Sequence, residues 1–140
     1  MNFDRVITVA WSGGNDRGPT PKKDAIWVAI GNGGMSQDPL YFRNRQTAEI
    51  WLTETLTDLR AQGLRVLVAF DLCFAFPSGF ATRLIGSEDT LALWDWFAAR
   101  VTDSPKANNR FDLAGEINAL FPGTGPFWFN GLKRDIPNLP

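Results

Sequence analysis

The sequence contains no histidine and a single cysteine in 140 residues. Without an imidazole, a Ser-His-Asp or Cys-His nucleophile, a His-ligated zinc and a His general base are all excluded. With Cys73 alone, an intrachain disulfide and a Cys-x-x-Cys metal or redox site are excluded as well. Long apolar runs are missing too. None approaches the roughly 18 residues that a membrane span requires, and residues 1–4 do not begin a signal peptide, so a cytoplasmic protein with no membrane partner is expected. Charge of either sign is not in excess: a net charge of −1 gives no general attraction to nucleic acid or anionic lipid, and such binding would need a local patch. Carboxylate, hydroxyl, Lys and Arg remain for chemistry, an inventory suited to hard cations and phosphate esters.

Aromatic residues are plentiful. Six Trp and eleven Phe in a chain that is 44% hydrophobic point to a globular core rather than a disordered segment, and the length is that of one domain. Residues 5–11 (R-V-I-T-V-A-W) are β-branched and read as a first strand that stops at Ser12, Gly13 and Gly14. Residues 12–24 form a loop. Residues 25–31 (A-I-W-V-A-I-G) are a second strand, closed by a hairpin signal at Asn32, Gly33 and Gly34, and residues 39–42 a short third, which Pro39 places at an edge. The period then changes. Ala48, Trp51, Leu52, Leu56 and Leu59 recur at helical spacing over residues 45–62, and Gly63 is a natural stop.

That helix feeds residues 64–70, an unbroken apolar strand expected to be buried on both faces and parallel to its neighbours, because a helical crossover precedes it. Asp71 closes it. A carboxylate at the C-terminal end of a buried strand lies where open α/β sheets place their chemistry. An aromatic loop, 74–80, follows. A second helix is expected from an N-cap at Ser87 to Asp103, burying Leu91, Leu93, Trp94, Phe97, Ala98 and Val101, and a third over 110–120 after the signal Asn108-Asn109. Residues 121–140 mix Pro and Gly with Phe127, Trp128, Phe129 and Leu132, an arm too aromatic to be a solvated tail. The expected organisation is a domain over 1–120 and this arm, packed on the same domain or on a partner.

A three-stranded meander, a crossover helix and a parallel fourth strand, then helices, is the beginning of a ribonuclease H-like α/β fold with a mixed sheet. In it the first and fourth strands lie side by side, bringing residues 11–14 next to Asp71. Nucleases of that fold hold divalent cations between carboxylates on these strands and nearby helices. Asp71 suits one position; the first-strand position, near Ala10, has no carboxylate, and Asp16 reaches in only if its loop folds back. The plain alternative for Asp71 is a turn or cap residue. Asp112 and Glu116 lie four apart on one helix face and are either cation ligands or a solvated face; beside them Arg110 could meet phosphate. The S-G-G-N-D-R-G loop from Ser12 could cradle a phosphate or be a simple turn. The aromatic loop with Trp94, Trp96 and Arg83 could stack on bases, although most of these rings belong in the core.

The stretches V-A-W-S-G, A-I-W-V-A, F-D-L-C-F-A-F-P-S-G-F-A, N-N-R-F-D-L-A-G-E-I-N and G-P-F-W-F-N-G-L-K-R-D-I-P-N-L-P resemble, in this order and over nearly the whole chain, the bacterial family catalogued as domain of unknown function 429. The resemblance implies a ribonuclease H-like fold and relatedness to metal-dependent nucleases. It also marks departures. The family's first-strand motif looks like V-D-W-S, so Ala10 stands where an Asp is expected; Cys73 and Ala75 stand for Pro and Gly; and the last strand of the family is expected to be lacking. The implied activity is weak or absent. If active, Asp71 would bind Mg²⁺ or Mn²⁺, Glu116 or Asp112 would assist, and Ser12, Asn109, Arg110 and Lys133 would contact a nucleic acid or nucleotide. The alternatives are a non-catalytic binding or assembly module and a phosphate or nucleotide binder. Without a fifth strand, residues 66–70 become a sheet edge that needs cover, supplied by the arm or by the same strand of a second copy. Sedimentation at micromolar concentration is the check: a homodimer or a protease-resistant arm is expected, and a monomer with a labile arm contradicts both forms.

Overall fold

The computed structural model describes residues 3–32 and 34–140; Met1, and Gly33 of the expected hairpin turn, lie outside them. Among these residues, five strands and four helices follow in order: β1 (Arg5–Ala10), β2 (Ile26–Asn32), β3 (Met35–Ser36), β4 (Leu40–Phe42), α1 (Arg45–Ala61), β5 (Val66–Phe70), α2 (Phe80–Ile85), α3 (Thr90–Ala98) and α4 (Arg110–Asn118). They divide into two compact units. The first ends at Leu72 and the second is Cys73–Pro140, so the arm at 121–140 is part of the second unit.

The first unit is a mixed sheet with the order β3-β2-β1-β5, β4 also pairing with β2. The third strand expected over 39–42 is β4, opposite Ile26, Trp27 and Val28, and a further short piece, β3, which the sequence did not suggest, lies on the same edge of β2 opposite Gly31 and Asn32. Pro39, which has no N–H to give to a ladder, stands in the break between them. β1 pairs antiparallel with β2 and parallel with β5, Arg5 opposite Val66 through Val9 opposite Phe70. Ile7, Val9, Ile26 and Val28 pack against Ala48 and Leu59 of α1. Asn44 caps α1 by accepting the Thr47 N–H at 2.9 Å. The helix ends in a Schellman motif: Gly63 (φ 71°) donates to Arg60 O and Leu64 to Leu59 O, which turns the chain into β5.

One expectation is corrected here. β5 is not buried on both faces: Val66, Val68 and Phe70 pack against the core, whereas Leu67 is 40% exposed and Ala69 is exposed. A run of apolar residues reads the same for a covered central strand and for an edge strand with one apolar face open.

The parallel pair is clamped at both ends by carboxylates. At the start, Asp4 accepts the Arg65 N–H at 2.8 Å and its guanidinium Nε at 3.1 Å, while Asp4 N donates to Arg65 O at 2.9 Å. At the finish, Asp71 accepts the Trp11 N–H at 2.7 Å, and Asp71 N donates to Val9 O at 3.2 Å.

In the second unit, Phe80, Leu93, Leu113 and Ile117 form the core, with Phe80 stacked on Phe76 at 4.3 Å and on Phe121 at 5.4 Å. Three sequence expectations change. A helix that was not expected, α2, starts at the last residue of the aromatic loop, Phe80, and its six residues span less than two turns and leave no readable period. The cap of α3 is Asp89, which accepts from Leu91 N and Ala92 N, while Ser87 accepts from Asp89 N; the helix is correspondingly shorter. Leu91, Trp94 and Ala98 are exposed, because T-L-A-L-W-D-W-F-A is apolar on more than one side and its period does not select a face; Val101, also exposed, lies beyond the end of the helix. No helix among the described residues is long and apolar enough to cross a membrane.

The Arg65 side-chain and backbone hydrogen bonds hold the Asp4 carboxyl at about 2, below its ordinary 3.8. A depressed native pKa stabilises the fold above the unfolded value and loses that contribution as the pH falls through the native one. The urea midpoint is therefore expected to drop as the pH falls from about 4 to about 2. Asp4→Asn should be less stable at pH 6 and show a smaller drop over that window, as measured by urea titration at each pH.

Candidate functional site

β1 and β5 run parallel and in register, so the residues after their last paired positions, Ala10 and Asp71, are lateral neighbours. Along each strand side chains alternate faces. Thr8, Ala10, Ala69 and Asp71 thus project to the face opposite α1, where with Trp27 and Ala29 they line a groove of about 410 Å³. Asp71 is the one charged residue among the described residues lining it, and one of its oxygens holds the Trp11 N–H. No three of His, Cys, Asp and Glu gather among the described residues. A single carboxylate already engaged with backbone, beside an alanine methyl, does not fit a pair of bridged cations, which need carboxylates between them.

The loop after β1 is laced to the N-terminus of α1. Asp16 accepts Arg43 Nε at 2.9 Å, Asn44 Nδ2 at 3.0 Å and Gly18 N at 2.7 Å. These bonds, the Arg43 one foremost, hold its carboxyl at about 2. Asp16 therefore faces Arg43 and Asn44, and its loop does not fold back toward Ala10. Ser12 Oγ accepts from Gly14 N at 3.2 Å, and the buried Arg45 donates to Gly14 O. Tyr41 Oη donates to Gly18 O at 2.7 Å. The loop's polar atoms close turns and tie it down.

In the second unit, the F-D-L-A-G-E-I-N segment is the seat of the arm. Leu113 and Ile117 face the core. A Cβ on Gly115 would lie 2.5 Å from Pro137 O and 2.9 Å from Ile136 Cγ2, so only glycine lets the arm cross the helix there. Asn118, 3% exposed, donates from Nδ2 to Phe127 O and Asn138 O, each at 2.7 Å, and accepts from Phe127 N at 3.0 Å. Asp112 receives Arg134 Nη2 on both oxygens at 2.6 Å. Asn109 does not cap α4 with its side chain; it accepts from Thr102 N and donates to Arg100 O, both at 2.8 Å, closing the preceding loop. Glu116 and Lys133 are exposed, and the Arg110 guanidinium lies 4.8 Å over the Phe111 ring.

The expected site residues thus fall into two groups. Ser12 and Asp71 belong to the first unit, with Asp71 brought beside Ala10 and Trp11; Asn109, Arg110, Asp112, Glu116 and Lys133 belong to the second. Unforeseen from sequence were Asp4, Asn118 and Arg134 as partners of distant backbone or side chains; an amide closing an apolar helix run, as in E-I-N, was the available signal for Asn118. No protein-family model matches the chain, and searches of curated proteins and of solved structures return no match.

Asn118→Ala strands the Phe127 N–H and two carbonyls in the interior, and each unmet buried group costs about 1–3 kcal/mol. The second unit should lose about 2–4 kcal/mol, with hydrogen exchange over residues 125–139 rising while that of β1 stays unchanged. Exchange-resolved mass spectrometry reads both.

Proposed function

We propose that the chain is a ribonuclease H-like domain, related to metal-dependent nucleases, that works as a binding module and does not itself cut phosphodiesters. The observation that carries the reading is the pair Ala10 and Asp71, side by side at the C-terminal ends of two adjacent parallel strands and lining one groove. That is where the ribonuclease H-like arrangement has two carboxylates, and here one of them is a methyl group. The other ends the β1–β5 ladder, a role that keeps an Asp at position 71 without catalysis.

A second reading, assembly with another copy, is favoured by the outer edge of β5, which pairs with no further strand among the described residues. The edge is V-L-V-A-F, with no Lys, Pro or inward charge to block strand addition. A cytoplasmic location goes with either reading: Cys73 is exposed and has no second cysteine in the sequence to oxidise with, which suits a reducing compartment.

Ala10→Asp tests the reading, because it sets two carboxylates next to each other without touching the packed face. Mn²⁺ binding, measured by water-proton relaxation, should tighten at least about tenfold in the variant, and any Mn²⁺-dependent cleavage of DNA or RNA should arise in the variant alone. Cleavage by the unaltered chain would overturn the non-catalytic reading; no gain of Mn²⁺ binding on Ala10→Asp would overturn the ribonuclease H-like correspondence.

A further inference from the structure

The second unit holds a cleft of about 450 Å³ between α4 and residues 126–129. Phe76, Phe97, Leu113 and Ile117 line its inner part, and Trp128 and Phe129 its outer part. Those last two rings are 76% and 74% exposed, yet they are held in place. Trp128 Nε1 donates to Gly125 O at 3.1 Å, and Phe129 meets Phe111 edge to face at 6.3 Å. Large aromatic faces kept in contact with water are costly for a surface that does nothing. Arg110 is the one charged residue among the described residues lining the cleft, its guanidinium over Phe111 at the N-terminal end of α4.

We propose that this cleft binds a small amphipathic anion: a flat apolar body lying among the aromatic side chains, with a carboxylate, sulfonate or phosphate met by Arg110. The volume is that of a small-molecule site, about 300–1,000 Å³. The lining is the apolar enclosure with one orienting polar group that such sites have, and a guanidinium binds oxyanions through paired N–H donors. Single-stranded nucleic acid would also use exposed rings, but it needs cations along its track. In the second unit Lys and Arg do not outnumber Asp and Glu, and Arg110 alone lines the cleft, so a ligand with one anionic group suits it better. Every residue involved belongs to the second unit, and the proposal is independent of the Asp71 reading.

The test compares 1-anilinonaphthalene-8-sulfonate with N-phenyl-1-naphthylamine, the same ring system without the sulfonate, by fluorescence titration of the full chain. The sulfonate is expected to bind one to one and about tenfold tighter than the neutral probe, the size of one charge-assisted contact. Arg110→Gln should erase that difference while leaving the neutral probe's affinity unchanged, and Val101→Trp, at the exposed rim, should weaken both. Urea midpoints matching the unaltered chain show that the variants fold. Equal affinities for the two probes, or sulfonate binding unmoved by both substitutions, would overturn the proposal. Displacement of the sulfonate probe by a micromolar single-stranded oligonucleotide would reassign the cleft to nucleic acid.

Discussion

The parallel pairing of β1 with β5 is the constraint on which the first unit depends. Parallel neighbours cannot be joined by a tight turn, so α1 must cross over the sheet, and its apolar side then becomes the cover for Ile7, Val9, Ile26 and Val28. The register is held at its two ends by one carboxylate from each side of the pair, Asp4 on the Arg65 N–H and Asp71 on the Trp11 N–H. A one-residue slip would break both bonds and turn the apolar side chains of β5 away from α1. Two aspartates sixty-seven residues apart in the sequence thus act on one ladder.

The same device recurs at several places where the backbone leaves regular structure. Buried N–H and C=O groups must find partners, and in this chain Asp and Asn side chains supply many of them. Asp16 takes the Gly18 N–H, Asn109 spans Arg100 and Thr102, and Asn118 holds Phe127 and Asn138. This gives the arm at 121–140 a fixed shape without strand or helix. It also accounts for much of the polar inventory that would otherwise suggest chemistry: Asp16, Asp71 and Asp112 each have a structural partner.

Legibility followed periodicity. β1, β2, α1 and β5 were readable because each carries a sustained period or β-branched run bounded by Gly or a polar stop, and their order implied the adjacency of Trp11 and Asp71. The exposure of Leu67, the start of α3 and the existence of α2 were not readable, since an apolar run carries no information about which side is covered and six residues carry no period. For the candidate site, the sequence located Asp71, Asp112 and Arg110 but could not assign their partners. The Arg134 to Asp112 and Asn118 to Phe127 contacts depend on the path of an arm whose Gly and Pro residues obey no period. Gly115 is an unfavourable residue inside a helix, and the reason for it is the backbone that crosses it.

The separation between β1 and β5 also matters to a chain still being made. The meander of β1, β2, β3 and β4 can form once Phe42 has emerged, but the other side of β1 waits until α1 and β5 have followed. At about 5–20 residues per second that interval lasts a few seconds, during which R-V-I-T-V-A offers an unpaired apolar edge to any neighbouring nascent chain. Rapid closure of α1, helped by the Asn44 cap and the Gly63 stop, shortens the exposure, so the local signals at the two ends of one helix protect a strand pairing that is anything but local.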